Sequence, residues 1–273
     1  MDKDNLIYSL EITNGYIFRQ IFELYVRLVI QTVPIFFKED GITIRTGSGS
    51  KNSRRIISNI EIATDDIIEY YFNEDLANIK GTEETSSFTV EQFNIKEIGD
   101  NFKSITKTGA IRIYKKKDSK HANVEFKNLT TDTSWLECIK FQSIEYDLSS
   151  FDSLDESPNI KIEINQFCSV MKSMTRGKPE YISFKVFANG LIIESRNSNG
   201  DLIKKSEWGS TEGKFFETRA NENVNKALCK INNMSVNGIV KFYSNQHKYL
   251  KMSHKIGDFG EHNIYLIDEI IED

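Results

Sequence analysis

The chain is predicted to be an α+β protein built twice from one unit, each unit a set of short antiparallel strands carrying two helices. Three observations lead there. Asn14-Gly-Tyr-Ile-Phe-Arg-Gln-Ile-Phe opens a helical run that leads to Phe36-Phe-Lys-Glu-Asp-Gly-Ile-Thr-Ile44. Ile164-Asn-Gln-Phe-Cys-Ser-Val-Met-Lys opens another that leads to Phe184-Lys-Val-Phe-Ala-Asn-Gly-Leu-Ile192; Phe18 and Phe167 stand 149 residues apart, as do Gly41 and Gly190. A second pair follows, Phe102-Lys-Ser-Ile-Thr-Lys-Thr-Gly-Ala-Ile111 against Cys229-Lys-Ile-Asn-Asn-Met-Ser-Val-Asn-Gly-Ile239. Between the copies, residues 144–159 turn acidic and serine-rich and hold one proline, the composition of an extended connector. The organisation expected is a first domain over 1–143, a connector over 144–159 and a second domain over 160–273. A doubled unit points to a symmetric scaffold rather than to a pocket with a catalytic centre.

The elements follow in order. Tyr8 to Thr13 alternates and reads as a strand. Asn14-Gly15 suits a helix start, and apolar Ile17, Ile21, Leu24 and Leu28 recur at helical spacing up to Gln31. Polar Arg19, Gln20, Glu23, Arg27 and Gln31 fall on one stripe of that helix. Val33 to Phe37 and Ile42 to Arg45 are strands around Lys38-Glu-Asp-Gly41, where Asp-Gly supplies the positive φ of a tight hairpin. Residues 46–53 form a polar Gly/Ser loop, and strands follow at 55–63, 66–72 and 86–91. Asn94 to Ile105 reads as a helix with Ile95, Ile98, Phe102 and Ile105 inward. Ala110 to Tyr114 and Asn123 to Lys127 flank a basic turn, and Trp135 to Phe141 closes the first unit. The second unit repeats the order. A strand at 160–164 precedes a helix over 165–176, and strands flank Asn189-Gly190 as a hairpin. Further strands lie at 202–208 and 214–218, then a helix over 222–232 and strands at 238–243, 249–254 and 263–267.

Composition excludes several classes. Hydrophobic content of 39% and charged content of 27% fit a globular chain of one or two domains. The charged start and the absence of a long apolar run argue against a signal peptide or a membrane span. Cys138, Cys168 and Cys229 are odd in number and far apart, so a reducing, intracellular compartment is expected. No histidine or cysteine has ligand spacing, so neither a metal nor a cofactor is expected. Asp258-Phe-Gly260 matches a kinase triplet without the rest of the kinase set and is read as a tight turn. Gly47-Ser-Gly-Ser-Lys lacks phosphate-loop spacing. No catalytic residues and no enzymatic activity are therefore expected. The formal net charge is −5, which on its face opposes nucleic acid, but distribution rather than sum decides binding. Asn, Lys and Ile are abundant, the mark of an AT-rich coding sequence.

Leu250-Lys-Met-Ser-His-Lys-Ile-Gly-Asp-Phe-Gly-Glu-His-Asn-Ile-Tyr-Leu-Ile, followed by the acidic Asp268-Glu-Ile-Ile-Glu-Asp, resembles the end of proliferating cell nuclear antigen (PCNA), the sliding-clamp family. The start resembles it too: a strand, a helix bearing Arg19-Gln20, then the Gly41 strand. The resemblance covers nearly the whole chain in order of elements, at low identity. It implies two tandem DNA-clamp domains per chain, closed as a homotrimer around duplex DNA, with helices lining the hole and sheets outside. The DNA-facing residues it implies are Arg19, Arg27, Lys96, Lys103, Lys172, Arg176, Lys226 and Lys230, holding phosphates without reading bases. Asp100, Gln20 and Ser169 stand where the family often carries a basic residue. A pocket of Leu148, Phe151, Leu154, Tyr249 and Ile267 would take short peptides of DNA polymerase and other clamp-binding proteins. The edge strand with Ala122, Val124 and Phe126 would meet Leu202, Lys204 and Trp208 of the next subunit, with His121 and Lys127 facing Glu207. An ATP-dependent clamp loader would open the ring. The low identity and AT-rich bias point to a large DNA virus, with action in the nucleus or at a viral replication site. Two rival readings remain: a clamp-fold monomer or dimer serving viral transcription or damage signalling, and a scaffold that never meets DNA.

Overall fold

The computed structural model describes residues 5–48, 55–67, 69–77, 87–103, 105, 107, 109–128, 133–140, 157–235, 237–245, 249–258 and 260–267. The first unit contains β1 (Leu6–Ile12), α1 (Gly15–Arg27), β2 (Thr32–Lys38), β3 (Gly41–Ser48), β4 (Arg55–Ala63), β5 (Glu69–Phe72), β6 (Phe88–Asn94), α2 (Ile95–Phe102), β7 (Gly109–Lys116), β8 (His121–Asn128) and β9 (Thr133–Lys140). The second contains β10 (Ile160–Glu163), α3 (Ile164–Thr175), β11 (Tyr181–Arg196), β12 (Leu202–Ala220), α4 (Glu222–Leu228), β13 (Ile239–Asn245), β14 (Tyr249–Ile256) and β15 (Gly260–Ile267). No helix among the described residues is long and apolar enough to cross a membrane.

Asparagine starts three of the four helices. The side chains of Asn14, Asn94 and Asn221 accept from backbone N–H groups in the first turns of α1, α2 and α4, satisfying donors the helix leaves orphaned. Helix α1 then buries a stripe of aromatic rings. Phe22 meets Phe102 edge-on at 5.2 Å, and Phe102 meets Phe126 edge-on at 5.4 Å, which joins α1, α2 and β8 in one core. Phe167 on α3 meets Phe242 on β13 in the same way at 5.5 Å. Glu91 on β6 is wholly buried and pairs with Lys115 on β7; burial pushes its carboxyl up and the lysine partly offsets that.

Helix α1 stops at Arg27, four residues earlier than its apolar spacing suggests. Ile30 N–H donates to the Tyr25 carbonyl at 3.1 Å and Val29 N–H to the Val26 carbonyl at 3.1 Å, a Schellman closure. The position that closure places in the left-handed region, usually glycine, is Val29, at φ +59°. A left-handed β-branched residue costs about 1–2 kcal/mol. Helix α2 likewise ends at Phe102, and α4 at Leu228 before a separate 3-10 turn at Ile231–Asn233.

Two sheets carry most strands. One has the order β5-β1-β7-β8-β9; the other runs β10-β13-β14-β15-β4-β3-β2-β6 and so contains strands of both units. The joint is β15 against β4, from Glu261 opposite Glu61 to Ile267 opposite Arg55. The β2–β3 hairpin turns as expected at Glu39-Asp40, and Gly41 supplies its positive φ (+138°): a Cβ there would lie 2.2 Å from the Ile62 carbonyl oxygen.

Two expectations are corrected. His121–Asn128 is not an edge strand, because β9 pairs with it along its whole length. Ala122, Val124 and Phe126 are buried in the core, and among the described residues β9 holds the edge. Asn189-Gly190 is not a hairpin turn either. Strand β11 runs through it and pairs with β12 in a two-stranded ribbon that turns at residues 197–201. Gly190 lies opposite Gly209 just past the register shift between Phe187 and Asn189, and a Cβ on Gly209 would sit 2.1 Å from the Asn189 carbonyl oxygen.

The β15–β4 joint buries a chain of polar groups. Tyr25 OH and Ser58 Oγ lie 3.3 Å apart, Ser58 Oγ and His262 Nε2 2.9 Å, His262 Nδ1 and His254 Nε2 3.0 Å. His254 Nδ1 then meets the Lys255 carbonyl at 3.0 Å. That carbonyl can only accept, so His254 carries its proton on Nδ1. His254 Nε2 then accepts from His262 Nδ1–H, and His262 Nε2 accepts from the Ser58 hydroxyl. Both rings are neutral, and burial pulls their pKa values down, that of His254 to about 4.

Candidate nucleic-acid interface

The four helices form one surface: α1 packs on α2, α3 on α4, and α1 touches α4 across the units. Gln20, expected on the polar stripe of α1, is instead buried there and accepts from Asn233 Nδ2 at 3.1 Å. It is a contact between units, so it cannot face a ligand.

The eight basic residues singled out in the sequence divide into two groups. Arg19 is a fixed brace. Its Nε donates to Glu23 at 2.7 Å, and its Nη1 donates to the Lys103 carbonyl at 2.9 Å and the Ile105 carbonyl at 3.3 Å. Those carbonyls follow α2, where orphaned acceptors attract a cation. Lys103 pairs with Asp100 at 2.7 Å and Lys226 with Glu222 at 2.6 Å. Arg27, Lys96, Lys172, Arg176 and Lys230 are exposed and have no ion pair at contact distance among the described residues. They come from α1, α2, α3, the α3 cap and the turn after α4, so every helix or its end contributes one.

Three of these five converge. Burial raises the pKa of the Cys229 thiol; the Thr175 hydroxyl, then Lys172, Lys230 and Arg27, draw it part of the way back. Cations from α1, α3 and the α4 turn thus lie around the buried Cys229 side chain. Opposing helices bring together residues distant in sequence, forming a positive patch on an acidic protein.

The remaining predicted sites stand as follows. Leu148, Phe151 and Leu154 lie outside the described residues. Tyr249 and Ile267 are paired residues of β14 and β15, and the Tyr249 ring meets Tyr265 edge-on at 5.4 Å. Leu202 is half exposed at the start of β12, and Trp208 packs against the core. Lys204 Nζ is held by the Ser173 carbonyl and hydroxyl, both at 3.0 Å. Glu207 pairs with Lys205 at 2.9 Å and accepts from Thr211 at 2.6 Å. No group of three or more ligating side chains among the described residues could hold a metal.

Sequence reasoning missed the tied cations, although a signal existed: Glu23, Asp100 and Glu222 lie three or four residues from their partners on one helix face. It also missed the His254–His262 pair, which the β14–β15 register places directly opposite each other.

No family model matches the chain, and no curated protein matches it in sequence. Solved structures are. The crystal structure of proliferating cellular nuclear antigen from Entamoeba histolytica matches with a TM-score of 0.72 and 11% identity, over 97% of this chain and 100% of that one. The PCNA2–PCNA3 complex from Sulfolobus tokodaii matches at 0.68 and 16% identity, over 95% of this chain and 98% of that one. At such identities the likeness lies in architecture, and over nearly its whole length the chain has the PCNA-like clamp fold.

Proposed function

We propose that the chain is a sliding clamp, a processivity factor without catalytic chemistry that encircles duplex DNA and tethers replication and repair enzymes to it. The observation that carries this is the joint between β15 and β4. Strand β9 (133–140) and β15 (260–267) lie 127 residues apart at both ends, the separation of Phe102 from Cys229. The 149-residue offset carries β4 into the first half of β12. Within the chain, the last strand of one unit thus pairs with the fourth strand of the other. The corresponding strands left over are β9, at a sheet edge, and β12 from Leu202 to Trp208, whose strand partner among the described residues is β11. Joining these between copies repeats the internal joint and makes a head-to-tail interface, which closes when the rotation permits. Three copies give the ring that the resemblance implies.

Inside such a ring, Arg27, Lys96, Lys172, Arg176 and Lys230 would meet phosphates. Loose charge contacts retain DNA yet permit sliding, since none depends on a base. Polymerases and other partners would dock through short peptides near Tyr249 and Ile267, and an ATP-driven loader would open the ring. The tied state of Arg19, Lys103 and Lys226 makes the inner face less positive than expected. That favours, as a second reading, a clamp-fold monomer or dimer acting in transcription or damage signalling. The test is binding of random-sequence duplex across a salt series. The clamp reading expects weak, sequence-independent binding whose logarithmic salt slope falls by about two in Arg27→Gln/Lys172→Gln, roughly 0.9 per lost phosphate contact. Absence of binding at low salt, or a slope unchanged in that variant, contradicts it.

A further inference from the structure

Between α1 and α2 lies a groove of about 750 Å³. Its apolar lining includes Val26, Val29, Ile30 and Ile95, and Gly99 leaves it open: a Cβ there would meet only Val26, at 3.9 Å. Val26 is 53% exposed and Val29 64%. Val29 is also the residue held in the left-handed conformation that closes α1. Glycine or asparagine would close the helix there with less strain. A strained side chain that is mostly exposed gains little packing within its own chain, so its return comes from something that covers it.

The rim indicates what that is. Arg19–Glu23 and Lys103–Asp100 neutralise themselves, and the charges left over are Arg27 and Lys96. The complement of an aliphatic lining with a positive rim is an aliphatic group carried between carboxylates. Duplex DNA supplies the anions but presents mainly phosphates and sugars, which make poor use of exposed methyl groups. We propose that the α1–α2 groove is a docking site for an acidic peptide bearing adjacent aliphatic side chains. Residues 268–273 of this chain, Asp-Glu-Ile-Ile-Glu-Asp, have that chemistry and supply a probe. The occupant would use Arg27 and Lys96, two of the cations assigned above to DNA, so peptide and duplex would compete. The docking site itself does not depend on encirclement.

The experiment titrates the full chain into the blocked, fluorescent hexapeptide Asp-Glu-Ile-Ile-Glu-Asp and follows anisotropy. Asp-Glu-Ser-Ser-Glu-Asp and Lys-Lys-Ile-Ile-Lys-Lys serve as controls. Saturable binding is expected for the first peptide alone. Val29→Asn suits the left-handed position, and Gly99→Leu fills open space, so both should fold. Each is expected to weaken the peptide by roughly fivefold or more, the loss of about one branched aliphatic contact. Arg27→Gln should weaken it and flatten its salt dependence. No saturable binding, equal binding of either control, or indifference to Val29→Asn and Gly99→Leu overturns the proposal. If those two variants weaken duplex DNA and leave the peptide untouched, the groove is a nucleic-acid surface and the proposal also fails.

Discussion

Acid should loosen this fold through the two histidines buried at the β15–β4 joint, and the size of the effect follows from their surroundings. His254 and His262 are 1% and 0% exposed, and each accepts at one ring nitrogen and donates at the other. Burial lowers the His254 pKa from 6.5 to about 4, and His262 moves the same way. In the unfolded chain both titrate near 6.5. As pH falls below that value, the unfolded state takes up protons that the folded state refuses. Stability is therefore fully present above about 6.5 and is lost as pH falls towards 4. For His254 alone the difference corresponds to about 3 kcal/mol, and His262 adds to it. Burial outweighs the two neighbours on the same hairpin that help to hold a proton on His254, first the Lys255 carbonyl and then the Glu261 carboxylate. Urea titrations followed by circular dichroism from pH 7 to pH 5 should show a fall approaching ~1.4 kcal/mol per pH unit for each histidine. His121→Gln, which touches neither ring, should keep that slope, and His254→Asn/His262→Asn should reduce it. A stability flat between pH 7 and pH 5, or the full slope surviving in the double variant, would mean that these two rings do not set the acid sensitivity.

Other outcomes follow from single positions. Val29→Gly should raise stability by about 1 kcal/mol, read as a higher urea midpoint, because glycine relieves the left-handed strain. Gly209→Ala should cost more than about 2 kcal/mol, since φ is +67° and the new Cβ would meet the Asn189 carbonyl. Arg19→Met should lower stability by about 1–3 kcal/mol by leaving the Lys103 and Ile105 carbonyls and Glu23 without their donor. The contrast is Lys172→Met, which should leave the urea midpoint within about 0.5 kcal/mol and act on DNA binding instead.

Much of this architecture is legible in local chemistry. Asn14, Asn94 and Asn221 announce helices because an asparagine side chain replaces the missing backbone acceptor, and Gly41 announces a hairpin because only glycine tolerates the Ile62 carbonyl so close. The helix stripes are equally readable from period. What escapes is whatever depends on partners distant in the chain. Asn123 to Lys127 reads as a strand and Trp135 to Phe141 as the segment that closes the first unit, and only the pairing of β8 with β9 tells that the second covers the first. The left-handed turn at Val29 hides because valine is not a residue that asks for it. Gln20 sits on the polar stripe by spacing, yet the turn at Asn233, 213 residues away, covers it. Arg27 and Arg19 look equivalent on one helix, each four residues from Glu23, and the carbonyls after α2 decide which of them is tied.

In a closed ring the joint made once inside the chain, β15 against β4, is made again between chains. The direct measurement is solution mass, by size-exclusion chromatography with light scattering over a concentration range. Three chains of 31.5 kDa amount to about 95 kDa. That mass is expected for the wild type, and dissociation for Leu202→Glu/Ile203→Glu, which charges an exposed stretch of β12 without entering the core. A single chain at every concentration, or a mass indifferent to that variant, would contradict it.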